Sequence, residues 1–241
     1  MSGADRQITV IDHLAEIRKR LVFSAAALLI GTVAGYVFVP RVTERLIDIA
    51  GSVVFLSPAE AFVSRIRFAF MLGLAVALPF VLFQVWMFVS PAVDRKQRRI
   101  VLAILPITYM LFAAGVLFSY YAVVPAALRF LVGFSSDQVE PLIGIGNLIS
   151  FSIGLMFPFG LAFELPVAIY ILSRAGLISA KALARNRKIA ILAIFVIAAA
   201  ITPTPDVFTQ AMMALPLMLL YEVSILIAGL NSRRRRATDG A

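Results

Sequence analysis

Apolar residues run along this chain in long blocks separated by short polar or basic stretches, and the blocks fall at residues 21–39, 68–89, 100–124, 149–172, 189–201 and 207–230. A bilayer core about 30 Å thick takes about 20 apolar helical residues to cross, so the pattern predicts an all-α polytopic membrane protein with six transmembrane helices. The fifth and sixth are read as the short members. Thirteen apolar residues, 189–201, cover only about 20 Å, which predicts local thinning of the bilayer there.

Between blocks the polar residues carry helix signals. In Ser57-Pro58-Ala59-Glu60, serine suits the N-cap, proline the first helical position, and glutamate the third residue of a capping box. Val42 to Ala50 has apolar residues at helical spacing, and Pro125 to Asn147 supplies a second connection with Gly133, Gly144 and Gly146 as breakers. These two connections are expected to close one end of a concave bundle that opens at the other. Pro203-Thr204-Pro205-Asp206 is a tight turn joining the fifth and sixth blocks. Residues 1–20 read as an N-terminal helix outside the membrane. A start at Thr9 puts Asp12, Glu16 and Arg20 on one face, with His13 beside Glu16 and helix capping as the role of Asp12. The basic Arg18-Lys19-Arg20 ahead of residues 21–39 has the look of a signal-peptide border, but the block is long and no cleavage site follows, so an uncleaved span is expected. Residues 1–241 are thus read as a single membrane domain. The one repeat, Gly73-Leu-Ala-Val-Ala-Leu-Pro79 against Gly160-Leu-Ala-Phe-Glu-Leu-Pro166, is taken as coincidence in leucine- and alanine-rich sequence.

Polar residues inside the blocks are costly and therefore informative. Glu164 is the only carboxylate in the stretch Phe151 to Leu172, flanked by Pro158 and Pro166, each of which removes a backbone donor and kinks a helix. An acidic side chain at mid-bilayer costs roughly 2.5 to 3.5 kcal/mol on insertion scales, which points to a bundle interior, a watery cavity or a functional contact. A protonated carboxyl that hydrogen-bonds two helices together is the alternative. Glu222 lies in the sixth block and Gln84 in the second. Counting back from the block ends sets Glu164 and Glu222 about 12 Å, and Gln84 about 8 Å, from the same membrane face, forming one polar layer.

Composition and charge narrow the class. The chain of 241 residues is 61% hydrophobic and 15% charged, with net charge +9, no cysteine and one histidine. Disulfides, thiolate chemistry and a multi-histidine metal site are thereby excluded, and no cofactor is expected. The basic residues set topology and imply no nucleic-acid partner. With six spans, seventeen of the twenty-two Lys and Arg residues fall on one side: four before the first block, four between the second and third, five between the fourth and fifth, and four in Arg233 to Arg236. Both termini, with the basic tail 231–241, are then cytoplasmic, and Arg233 to Arg236 is a topology anchor. That face carries few carboxylates. Glu16 is the best acceptor there for a cationic partner, and equally well a helix pair for Arg20. A proton-coupled secondary transporter using Glu164 and Glu222 is the alternative function, although paired inverted repeats are not evident. An intramembrane hydrolase lacks its groups, with one histidine, no cysteine and no aspartate inside a block.

Several motifs occur together: His13-Leu-Ala-Glu-Ile-Arg18-Lys-Arg-Leu21, Ser57-Pro-Ala-Glu-Ala-Phe62, Gln84-Val-Trp-Met-Phe88 with Pro91, Phe163-Glu-Leu-Pro166, Thr202-Pro-Thr-Pro-Asp-Val-Phe208 and Leu220-Tyr-Glu222. In this order they resemble the TatC family, the multispanning receptor subunit of the twin-arginine protein translocase, over nearly the whole chain. The resemblance implies a non-enzymatic receptor in the cytoplasmic (inner) membrane for signal peptides with two consecutive arginines on folded precursors. It further implies the single-span partners TatA and TatB, self-association in a multimeric complex, and use of the proton-motive force. By position, Glu16, Arg18 and the loop 94–99 would contact the arginine pair, with Phe88 as an adjoining apolar surface. Glu164, with Gln84 and Glu222, would serve partner contacts, and Pro58, Glu60 and Asp206 would be structural. The sequence departs from the family pattern at Gln97, where a glutamate is usual. A neutral amide makes a contact roughly half as strong as a carboxylate. If the loop is helical, Asp94 shares a face with Gln97 and is expected to share the arginine-binding role.

Overall fold

The computed structural model describes the backbone of residues 10–89, 95–135, 142–174, 176–202, 204 and 206–239, and side chains within residues 15–84, 104–135, 142–174, 176–202, 204 and 206–230. Among these, helix is almost the only regular structure. The elements in order are α1 (Val10–Ala50), β1 (Val53–Val54), α2 (Pro58–Val89), α3 (Arg95–Phe118), a π-helical turn (Ser119–Val123), α4 (Val124–Val132), β2 (Ile143–Gly144), α5 (Ile145–Ala162), α6 (Leu165–Arg174), α7 (Ala180–Arg185), α8 (Arg187–Ile201) and α9 (Val207–Asp239).

Five stretches are long and apolar enough to cross a membrane: Ala15–Ala50, Pro58–Gln84, Ile104–Val132, Ile145–Arg174 and Val207–Leu230. They overlap five of the six predicted blocks, three of them in full. The remaining block lies in α8, whose 15 residues give about 22 Å, so its shortness is a property of the helix itself.

Element boundaries differ from expectation in three places. Residues 10–50 form one continuous helix of 41 residues that carries Pro40 in its interior, where the sequence suggests a terminal helix, a span and a separate capping helix. The third block does not stop near residue 124, because helix continues through the π-turn and α4 to Val132. Pro125 has no N–H, and its ring would crowd the carbonyl four residues back. The widened turn, in which Val124 N–H bonds Ser119 O, lets the chain pass without breaking. The sixth block is not short either, since α9 has 33 residues and runs into the basic tail.

The chain divides into two compact units, Met1–Val39 with Ala69–Tyr109, and Pro40–Phe68 with Met110–Ala241. In the first, α1 and α2 touch backbone to backbone. A Cβ on Gly73 would lie 2.4 Å from Thr32 N, one on Gly31 2.6 Å from Gly73 O, and one on Gly35 2.9 Å from Ala69 O. Gly31 and Gly35 are four residues apart on one helix face, the small-residue spacing that lets membrane helices approach closely. The coincidental-looking repeat therefore has a packing role at its first residue.

In the second unit, Phe112, Phe159, Leu148, Ile149, Leu155, Met156 and Met213 are fully buried. Here too glycine permits the contact. A Cβ on Gly115 would meet Phe159 O at 2.5 Å, and one on Gly160 the Phe112 ring at 2.6 Å. α6, α7 and α8 all pack on α9, and Tyr221 Oη donates to Leu183 O at 3.0 Å to tie α9 to α7. β1 and β2 pair in parallel, Val53 opposite Ile143 and Val54 opposite Gly144. Tyr120 Oη donates to Val42 O at 3.1 Å, and the Arg45 guanidinium lies 4.5 Å from the Tyr121 ring centre, joining the end of α1 to the π-turn.

Candidate functional site

Glu16 and Arg20 are one turn apart in α1, so their side chains meet on the same helix face. Arg20 Nε donates to Glu16 Oε1 at 3.0 Å, and a terminal nitrogen of Arg20 reaches that same oxygen. The other terminal nitrogen lies 3.4 Å from Gln84 Oε1 on α2. Both contacts to the carboxylate fall on Oε1; Oε2 accepts from no described residue. The Glu16 side chain is 29% exposed and that of Arg20 18%. Arg18 and Lys19 are exposed. The structure thus joins Glu16 and Gln84 through a residue, Arg20, that sequence reasoning treats only as the partner of Glu16.

The helix through Glu164 is broken there, because α5 ends at Ala162 and α6 starts at Leu165. Glu164 N donates to Leu161 O at 3.1 Å, a tightened three-residue closure, and Glu164 O accepts from Ala168 N at 2.9 Å. Pro166 accounts for the break, since it removes the donor that Ala162 O would need. Pro158 is carried inside α5 without one. Both prolines are expected to kink the helix; only the second coincides with a break. The Glu164 side chain is half-buried, with Oε1 fully so.

Glu222 on α9 is held in an ion pair. Its Oε2 accepts from a terminal nitrogen of Arg187, at the start of α8, at 2.9 Å, with both side chains about half exposed. Arg187 is a partner that no local spacing signals, being 35 residues away in sequence.

Two acidic residues fix connections between helices. Pro58 is the first residue of α2, and Glu60 N donates to Ser57 Oγ at 3.2 Å, as a capping box requires. The Glu60 carboxylate accepts from Leu56 N at 2.6 Å and Gly146 N at 2.8 Å. A Cβ on Gly146 would be 2.6 Å from Glu60 Oε1, so glycine is what admits the carboxylate. Around it lies a cavity of about 320 Å³ lined by Ser64, Arg67, Asn147 and Ser150 among others. Asp206 stands just before α9 and accepts from Thr204 Oγ1 at 2.6 Å and Thr209 N at 2.6 Å. Burial pushes its carboxyl up, but the Thr204 hydroxyl and the Thr209 and Phe208 amides outweigh it, and the net shift is downward. Asp206 is thus an N-cap as well as a turn residue.

The expectations on Thr9, Asp12, His13, Phe88, Asp94, Gln97, Pro203, Pro205 and Arg233 to Arg236 concern side chains outside the described residues. No group of three or more metal-ligating side chains occurs among the described ones. Sequence reasoning missed the Gly31–Gly35 contact with Gly73, for which a G-x-x-x-G spacing in an apolar block was the available signal. It also missed the reach of Glu60 to Gly146, for which a local motif holds no signal.

Comparison with known proteins agrees with the motif order. The family model described as Sec-independent protein translocase protein (TatC) matches residues 12–216. The Sec-independent protein translocase protein TatC of Carboxydothermus hydrogenoformans is 41% identical over 228 residues, covering 93% of this chain and 94% of that protein. That of Aquifex aeolicus is 39% identical over 238 residues, covering 95% and 98%. A solved structure, "Crystal Structure of Twin Arginine Translocase Receptor- TatC", superposes with a TM-score of 0.77 at 38% identity, covering 91% of this chain and 99% of that one. With the motifs, the helical architecture and these relatives all in agreement, this chain is a multi-pass membrane protein belonging to the TatC family of Sec-independent protein translocase proteins.

Proposed function

We propose that this chain is a receptor subunit that binds twin-arginine signal peptides at its cytoplasmic face, with Glu16 as the docking carboxylate. The observation that carries this reading is the state of Glu16: a partly exposed carboxylate whose Oε2 accepts from no described residue, in a stretch that also holds Arg18, Lys19 and Arg20. A charge-assisted bond there is worth about 1.5 to 3 kcal/mol, and the basic surroundings penalise a badly placed cation. Phe88, Arg18 and the loop bearing Asp94 and Gln97 complete the docking surface, and Asp94→Ala weakens signal binding because Gln97 supplies no charge. The apolar part of the signal then inserts toward Glu164, whose half-buried carboxyl at a helix break suits hydrogen bonding to a polar group on the span of a TatA or TatB partner. Both termini lie in the cytoplasm, six helices cross the membrane, copies associate in a multimeric complex, and folded precursors are exported at the expense of the proton-motive force. A transporter is not favoured. Glu222, which it would need as a proton carrier, already neutralises Arg187.

The test is photocrosslinking in native membranes, with probes at Glu16, Phe88 and Gln97, comparing a twin-arginine precursor with its twin-lysine version. Crosslinks that form with arginine and fade with lysine support the reading. Crosslinks indifferent to the exchange, in properly inserted protein, overturn it.

A further inference from the structure

The way Arg20 holds Glu16 is not the way a guanidinium holds a carboxylate best. The strong arrangement is a fork on a fork, two parallel N–H donors on two oxygens. Here Nε and a terminal nitrogen converge on Oε1, Oε2 accepts from no described residue, and the third contact, to Gln84 Oε1, is stretched to 3.4 Å. One turn of helix separates the two residues, and that tether sets the compromise.

We propose that Arg20 is an internal competitor for the Glu16 carboxylate and that the need to displace it sets the selectivity for arginine over lysine in the incoming peptide, an inference that rests on reading Glu16 as the docking carboxylate. A peptide guanidinium meets Oε2 first, the oxygen that accepts from no described residue. By turning onto both oxygens it makes the parallel pair that Arg20 cannot make, and Arg20 swings back toward Gln84, whose amide oxygen is already within reach of its other terminal nitrogen. The exchange replaces a one-oxygen contact with a two-oxygen one. A lysine ammonium is a point charge with no planar fork. It has access to Oε2 but gains little from Oε1, so Arg20 stays and its positive charge faces the newcomer at close range. Repulsion from the resident cation is thereby built into the site as a filter against any cation that does not displace it. Arg20 acts on the peptide only through Glu16, as a positioning residue. Removing it should therefore change selectivity rather than simply lower binding.

The experiment measures binding of two labelled signal peptides, one with the arginine pair and one with lysines in its place, to the full chain in detergent micelles. The proteins are wild type, Arg20→Gln, Arg20→Lys and Glu16→Gln, each checked for a monodisperse elution peak. The expected result is that Arg20→Gln binds both peptides more tightly and narrows the arginine-to-lysine ratio by about tenfold, the scale of one charge-assisted bond. Arg20→Lys, which keeps the charge but loses the fork, narrows it by less. That variant carries the test alone if Arg20→Gln does not fold. An unchanged ratio in the folded Arg20 variants, or weaker binding of the arginine peptide, overturns the proposal and leaves Arg20 as a helix-stabilising pair. Glu16→Gln separates the two levels: if it loses the arginine peptide while the Arg20 variants keep the wild-type ratio, only the competitor idea falls. If Glu16→Gln binds like wild type, the docking role of Glu16 falls and the competitor with it.

Discussion

Glu60 joins two chain segments with one carboxylate, taking the Leu56 amide on its own side and the Gly146 amide from a segment 86 residues away. Asp206 fixes the other connection, and its cap contacts lower its pKa on folding, so the stabilisation it gives is complete above the unfolded carboxyl value, about 3.9, and is lost as pH falls through the lower folded value. Thermal unfolding followed by circular dichroism in detergent should therefore show a melting temperature that drops below about pH 3.9, and Asp206→Asn should reduce that drop. A variant as acid-sensitive as wild type would mean that this cap does not contribute to it. At neutral pH, Asp206→Ala removes the acceptor for Thr209 N and should cost about 1 kcal/mol. Half of this chemistry is legible at residue scale. The capping box Ser57–Glu60 is a four-residue pattern, but that the glutamate also reaches Gly146 depends on how distant helices pack, which local spacing does not encode. Glu16 with Arg20 is legible in the same way, and Arg187 with Glu222 is hidden for the same reason.

Among the helices, the apolar blocks announce where chain crosses lipid but not where helix stops. Apolar burial supplies the signal for a span, whereas helix ends depend on backbone donors and acceptors. A membrane helix therefore continues through Pro40 in α1 and past Pro125, by way of a widened turn, as long as those groups can be satisfied. At Pro166 the chain instead breaks, leaving Glu164 between two helices. Glycine spacing is the other feature of this scale. The α1–α2 contact at Gly31, Gly35 and Gly73 leaves no room for a side chain, since a Cβ on Gly73 would sit 2.4 Å from a backbone nitrogen that cannot rotate away. Gly73→Leu should destabilise the protein by about 1 to 3 kcal/mol, the usual cost of overpacking, or more. Gly229→Ala, where the nearest atom to a new Cβ is Ala180 Cβ at 3.9 Å, should cost far less. Melting temperatures of the two variants measured side by side check the contrast, and equal values would show that α1 and α2 can separate without penalty.

At the scale of the whole molecule, the number of crossings turns on α8. Its 15 residues give about 22 Å against a hydrocarbon core of about 30 Å, while the other five stretches are each long enough alone. If α8 crosses, the bilayer beside it must thin or its flanking side chains must reach outward to the interface. Basic residues on both sides of the Asn186 step between α7 and α8, Arg185, Arg187 and Lys188, suit the outward-reaching role at one end. Because the chain has no cysteine, any single introduced cysteine is the only thiol, and its side of the membrane can be read with an impermeant maleimide. Ser52, Lys181 and Val207 are all exposed in the structure and lie before α2, within α7 and at the start of α9. The charge distribution predicts that Ser52→Cys and Val207→Cys label in intact cells and Lys181→Cys only after lysis. Opposite labelling of positions 181 and 207 requires the intervening α8 to cross, thinning included. If Val207→Cys is protected in intact cells like Lys181→Cys, α8 returns to the side it started from, and the odd number of crossings that remains would put the two termini on opposite sides of the membrane.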